Sequence, residues 1–149
     1  CVRAGPEARH LMPALFLDPA VLLRAFGAPH PDQAACVALL EMAQTGEIEF
    51  HLSVEGGQEF LFHRLRMGTR DEAVAEFDAV DALVAWHSFD VESLRASRRI
   101  VGEGQARGRD AVHAATALGA GFAEIVSLDR DFDHVHGLRR VHPADIASS

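Results

Sequence analysis

The sequence predicts an α/β domain: a three-layer α/β/α sandwich around a central parallel sheet of about five strands. Short apolar segments alternate with helical repeats along most of the chain, which implies parallel strands covered on both faces. Most of these segments are bounded by Gly, Pro, Asp or Thr where caps and turns belong. The length, 149 residues, fits a single domain able to bury a real core.

Residues 1–12 lack a clear period and are read as a flexible arm or a remnant of upstream sequence, ahead of a domain over 13–146 and a tail at 147–149. Ala14–Leu17 is a short strand ending at Asp18, and Pro19 suits the first turn of a helix to Phe26. Asp32–Gln44 carries Ala35, Leu39, Met42 and Ala43 at helical spacing and is closed by Gly46. Glu49–Ser53 alternates as a strand does, and helical spacing returns from Glu55 to Met67. Thr69 and Glu72 form a capping box for a long helix with apolar positions Val74, Phe77, Val80 and Val84. A brief strand is expected over Ala85–Phe89, followed by a helix capped by Asp90 that contains Leu94 and Ile100. Gly102, Gly104 and Gly108 loosen the chain before a helix over Asp110–Leu118. Glu124–Leu128 and Leu138–Val141 are the last expected strands.

All 14 basic residues are arginine, which excludes mechanisms that need a lysine, including P-loop phosphate binding and imine chemistry. The net charge of −8 argues against a nonspecific nucleic-acid coat but leaves room for a local basic strip. Hydrophobic residues make up 48%, yet no apolar run nears the roughly 18 residues of a membrane span, so a soluble, cytoplasmic protein is expected. Cys1 and Cys36 are too few for a disulfide framework and are read as reduced thiols.

In a parallel sheet, ligands sit beyond the carboxyl ends of the strands. Asp18 ends the first strand and Asp129 follows the fourth, in a turn that also holds Asp131 and Asp133. The helix from Asp110 runs antiparallel to the strand it feeds, so its amino end reaches the same rim, and Glu59 lies early on the helix leaving the second strand. Singly, Asp18 and Asp110 read as helix caps, Asp129 as a turn former and Glu59 as a solvated helix residue. Together they form a cluster whose mutual repulsion a divalent cation relieves. Hard oxygen donors without thiolate suit Mg2+ or Mn2+, which activates water and screens a phosphodiester. The chemistry this implies is metal-assisted phosphodiester hydrolysis.

The segments FLD, SVEGGQE, GRDAVHAATAL and IVSLDRDF, in that order, resemble a PIN-domain ribonuclease of the VapC toxin type over residues 13–146. The likeness is most specific at Asp110–Leu118 and Ser127–Phe132. It implies an acidic, metal-binding quartet of Asp18, Glu59, Asp110 and Asp129, with Asp131 as a fifth candidate. It also implies a sheet order of 3-2-1-4-5, a homodimer, an RNA substrate and a VapB-like antitoxin that inserts a basic side chain into the cluster. Two departures from the pattern occur: Pro19–Ala20 replaces the usual hydroxyl or amide pair after the first aspartate, and Ser127 stands where threonine is common.

Arg95, Arg98, Arg99, Arg107 and Arg109 face one acid, Glu103, in the same stretch, and are candidates for RNA phosphate contact; a solvated helix face is the competing reading. His63 and His113 each follow an acidic candidate by one helical turn and could reach the site, with helix packing the safer reading; His134 and His136 could bind a metal, with polar loop residues the simpler reading. The alternatives are a noncatalytic PIN-like scaffold that binds RNA or protein, and another metal-dependent phosphohydrolase. An aspartyl-phosphate phosphatase is disfavoured by the missing lysine and by Pro19–Ala20 in place of a second aspartate.

Overall fold

The computed structural model describes residues 12–149. The expectations for the leading arm, Met12 apart, and for Cys1 lie outside the described residues. Among the described residues five strands occur, β1 (Ala14–Phe16), β2 (Glu49–Ser53), β3 (Val84–His87), β4 (Glu124–Val126) and β5 (Arg139–Val141). Between and after them lie α1 (Pro19–Phe26), α2 (Gln33–Gln44), α3 (Val54–Met67), α4 (Arg70–Asp81), α5 (Val91–Gly102), α6 (Gly108–Gly119) and the short α7 (Pro143–Ala147). A 3-10 turn spans Arg130–His134. No helix among the described residues is long and apolar enough to cross a membrane.

All strand pairs are parallel. The sheet is not continuous, however: β1-β2-β3 and β4-β5 form separate ladders joined by one bridge between Leu17 and Val126. Strands β1 and β4 hold three residues each, and besides that bridge the seam carries the Asp18 N–H bond to the Val126 carbonyl. Read across that bridge, the strands follow the 3-2-1-4-5 order.

Two cores flank the sheets, as strand alternation requires. Leu17, Phe50, Leu52 and Val126 point to one side and meet Val21 and Leu22 of α1, Leu39 of α2, Phe60 of α3 and Val80 of α4. Phe16 and Ile125 point to the other, against Ile100 of α5 and a run of buried alanines, Ala111, Ala114, Ala115 and Ala117, on α6. Small side chains let α6 lie close to the strands, which places its amino end at the rim. Also on this side, ring nitrogens of His51 and His87 meet at 2.8 Å, and burial followed by the neighbouring His51 hold the His87 imidazole below its usual pKa.

Several expected boundaries shift. Val84 belongs to β3, because α4 ends at Asp81, and Val74 and Leu94 face solvent while Ala73 and Ile100 are buried. Strand β4 stops at Val126 because the Ser127 side chain turns to bond Asp18 and the Asp129 amide. Cys36 is free and buried, with its thiol pushed up to about 11 by burial.

Helix α3 crosses β3 so closely at Gly57 that a Cβ there would lie 2.7 Å from the Trp86 ring. That ring cannot swing away freely: it stacks on Phe77 and donates its indole N–H to Asp81 Oδ1 at 2.7 Å. Gly57→Ala gains about 1 kcal/mol of helix propensity but overpacks the contact at a cost of roughly 1–3 kcal/mol. The expected result in urea denaturation is a net loss of stability of about 1 kcal/mol. A stabilised variant would show that the Trp86 contact is soft.

Candidate metal centre

The site is assembled where the two ladders meet. Asp18 leaves β1 with its amide bonded to the Val126 carbonyl at 2.9 Å. The residue is 5% exposed, and each carboxylate oxygen accepts one bond: Oδ1 the Ala20 N–H at 3.2 Å, which caps α1, and Oδ2 the Ser127 hydroxyl at 2.8 Å. Asp18 is therefore both the cap and a rim carboxylate. Ser127, itself buried, also accepts the Asp129 N–H at 2.9 Å, so one hydroxyl ties together the ends of β1 and β4.

Asp129 caps the 3-10 turn by accepting the Asp131 N–H at 2.9 Å. Asp131 then faces the cluster, whereas Asp133 turns away and pairs with Arg140 at 2.9 Å. Asp110 sits in the first turn of α6 and is not its cap, because the helix begins at Gly108. Gly108 makes this entry in the left-handed region, φ 53°, where a side chain would cost about 1–2 kcal/mol. Carboxylate oxygens of Asp110, Asp129 and Asp131 lie within 4.8 Å of one another.

Glu59 is held differently. His113, 2% exposed, bonds Glu59 Oε2 at 3.0 Å through Nε2 and Ser53 Oγ at 3.0 Å through Nδ1. Arg109 lies 3.7 Å from the other Glu59 oxygen. A cleft of about 590 Å³, lined in part by Glu59, His63, Arg66, Arg109 and His113, opens beside them. His113 thus reaches the site through Glu59, the less favoured of its two expected readings; its spacing after Asp110 was the available signal, but its partners come from distant segments. Of the five candidate arginines, Arg109 reaches the acidic rim, while Arg95 pairs with Glu92 on the exposed side of α5 and Arg99 lines a separate cleft with Glu103 and His136.

The electrostatics follow from this packing. Burial pushes Asp18 up, against the lowering effect of its two hydrogen bonds. Burial, then the charges of Asp18 and Asp129, push Asp110 up to about 6. Burial also acts upward on Glu59, but the hydrogen bond and charge of His113, then Arg109, outweigh it and leave the carboxyl below its usual range. A set of like-charged oxygen donors, Asp110 partly buried and Asp129 and Asp131 exposed, fits a hard divalent ion.

These features define a parallel α/β domain with a cation-competent carboxylate centre at its switch point. The PIN domain family model matches residues 15–138, and the chain belongs to that family. Its fold is similar to that of chains in VapBC toxin–antitoxin complexes. The VapBC2 complex of Rickettsia felis bound to a promoter DNA fragment superposes with a TM-score of 0.68 at 15% identity, over 87% of this chain and 98% of that one. DNA-bound VapBC from Salmonella typhimurium gives 0.66 at 13%, over 89% and 99%. A toxin–antitoxin complex from Klebsiella pneumoniae gives 0.63 at 16%, over 87% and 97%. No curated protein sequence matches the chain.

The raised Asp110 pKa has a definite sign for stability without metal. An unfolded Asp110 titrates near 3.8 and the folded one near 6, so its stabilising contribution is complete below the lower value and lost as pH rises through the higher. Asp110→Asn should remove that dependence. At about pH 7.5 it should raise the metal-free unfolding midpoint by roughly 2–4 °C, the equivalent of about 1 kcal/mol for a half-exposed group in a domain of this size. Millimolar Mn2+ should raise the midpoint of the wild type and not of the variant. Calorimetry at about pH 5 and 7.5 checks both, and an unchanged pH profile in the variant would show that these carboxylates do not sense one another.

Proposed function

We propose that the chain is a metal-dependent endoribonuclease that hydrolyses RNA phosphodiester bonds, and that it is the toxin of a toxin–antitoxin pair. The observation that carries this reading is the meeting of Asp110, Asp129 and Asp131 beside buried Asp18 in a PIN domain. The donor set is all oxygen, which suits Mg2+ or Mn2+. Asp18, Asp110 and Asp129 are the principal ligands in this reading, with Glu59 and Asp131 completing the shell directly or through water. A bound divalent cation supplies a more acidic water and neutralises charge on the attacked phosphate.

The protein's own groups orient and select. Ser127 and the Ala20 amide fix the Asp18 carboxylate, and Ser127 fixes the start of the turn that presents Asp129 and Asp131. Arg109, exposed beside Glu59, is placed to meet a backbone phosphate, and Arg95, Arg98, Arg99 and Arg107 extend the basic stretch. The Pro19–Ala20 departure does not disable Asp18, since its remaining orienting bonds come from a backbone amide and from Ser127. The likeness to chains of VapBC complexes supports a VapB-like antitoxin as partner, whose basic side chain would pair with the uncompensated Asp110 region. A homodimer working in the cytoplasm completes the reading.

The test is cleavage of a mixed RNA pool by purified, partner-free protein with Mn2+, with Mg2+ and with EDTA. Cutting that needs metal and falls by at least about 100-fold in Asp110→Asn, with the fold kept, is the expected result. Folded protein that binds Mn2+ and leaves the pool intact would overturn the ribonuclease assignment.

A further inference from the structure

We propose that His113 is a positioning residue that holds Glu59 toward the metal centre, as the middle member of a Ser53–His113–Glu59 hydrogen-bond chain. This inference rests on the metal-nuclease reading above and adds to it a residue and a direction of proton donation.

The direction follows from Glu59, whose ionised carboxylate only accepts, so His113 Nε2 carries the proton. Ser53 caps α3, and its hydroxyl oxygen accepts the Gly56 N–H at 2.9 Å. Its hydrogen is then free to point at His113 Nδ1, 3.0 Å away. With Nδ1 accepting, the ring proton resides on Nε2 and is donated to Glu59 Oε2 at 3.0 Å. Each ring nitrogen thus has a partner.

Geometry makes this bond the one that aims Glu59. The other contact of the carboxylate is Arg109, whose side chain is 75% exposed and stands at 3.7 Å, beyond hydrogen-bond reach. A pair so open to water fixes little. His113 lies one turn after Asp110 on α6, and Glu59 lies on α3, so the bond also couples the helix that supplies a principal ligand to the helix that supplies Glu59. Packing alone does not call for an imidazole here. The other buried positions of α6 hold small residues, alanine and Thr116, and burying a polar ring without partners is unfavourable. Both ring nitrogens are matched, as expected of a group retained for its bonds.

The test compares His113→Gln, whose amide N–H can replace Nε2–H, with His113→Leu, which keeps bulk and removes both bonds. It adds Glu59→Gln and the double variant Glu59→Gln/His113→Leu. Mn2+ affinity by titration calorimetry and kcat and KM for RNA are measured at a temperature where each protein is folded. Loss of an outer-shell partner typically costs 10–100-fold in metal affinity or activity. His113→Leu should therefore weaken Mn2+ binding and lower kcat by roughly tenfold or more, with KM little changed, and His113→Gln should recover most of both. In the Glu59→Gln background His113→Leu should add almost nothing. Independent, additive losses, or a Gln variant as impaired as Leu while folded, would overturn the positioning role. The two readings fail separately: wild type that binds Mn2+ but cuts no RNA removes the nuclease, while the order of Mn2+ affinities still decides His113. If His113→Leu does not fold, His113→Met, which likewise lacks the N–H donor, takes its place in the same comparison.

Discussion

Everything at the rim depends on a seam. The two ladders touch through the Leu17–Val126 bridge and the Asp18 N–H bond to Val126, and the carboxylates gather directly beyond that junction. Among the described residues, backbone pairing across this junction is confined to those two contacts. Ser127 completes it, donating across the seam to Asp18 and accepting from the Asp129 amide in its own turn. The interaction that closes the sheet is therefore the one that orients the centre.

A second consequence concerns charge. Four segments deliver acids to a small, partly desolvated volume, and each acid is treated differently by its surroundings. Asp18 is buried and bonded, Glu59 is compensated by His113 and Arg109, and Asp110 has burial and like charges without a matching donor. Asp133, only two residues from Asp131, is withdrawn from the cluster by Arg140. The uncompensated charge is thus concentrated on one side, at Asp110 with Asp129 and Asp131, which is where a hard cation gains most.

Much of this was legible in the sequence because local signals agreed with the fold. Pro19, Gly46, Thr69 and Asp90 punctuate their helices as their chemistry dictates, and α1, β2 and the ends of α2 and α3 fall where periodicity places them. The errors arise where two periods overlap. Val84 fits the spacing of α4 but follows its end, and Val74 fits an apolar stripe that Ala73 fills instead. The broken sheet was not legible, because ladder continuity depends on lengths one residue either way. Nor was the choice between Asp131 and Asp133, which is made by Arg140 on another strand, or the role of His113, whose partners lie 54 and 60 residues distant.

The Pro19–Ala20 pair shows why a departure in side chains need not be a departure in the site. Proline at the first position of α1 loses an N–H that the helix leaves unpaired in any case, and its fixed φ favours the helical start. Ala20 contributes only its amide, but that amide is the donor that Asp18 Oδ1 receives. What a polar pair would add is further bonds to ligands or water. The orientation of Asp18 itself is secured by the helix end and by Ser127, neither of which depends on the side chains that changed.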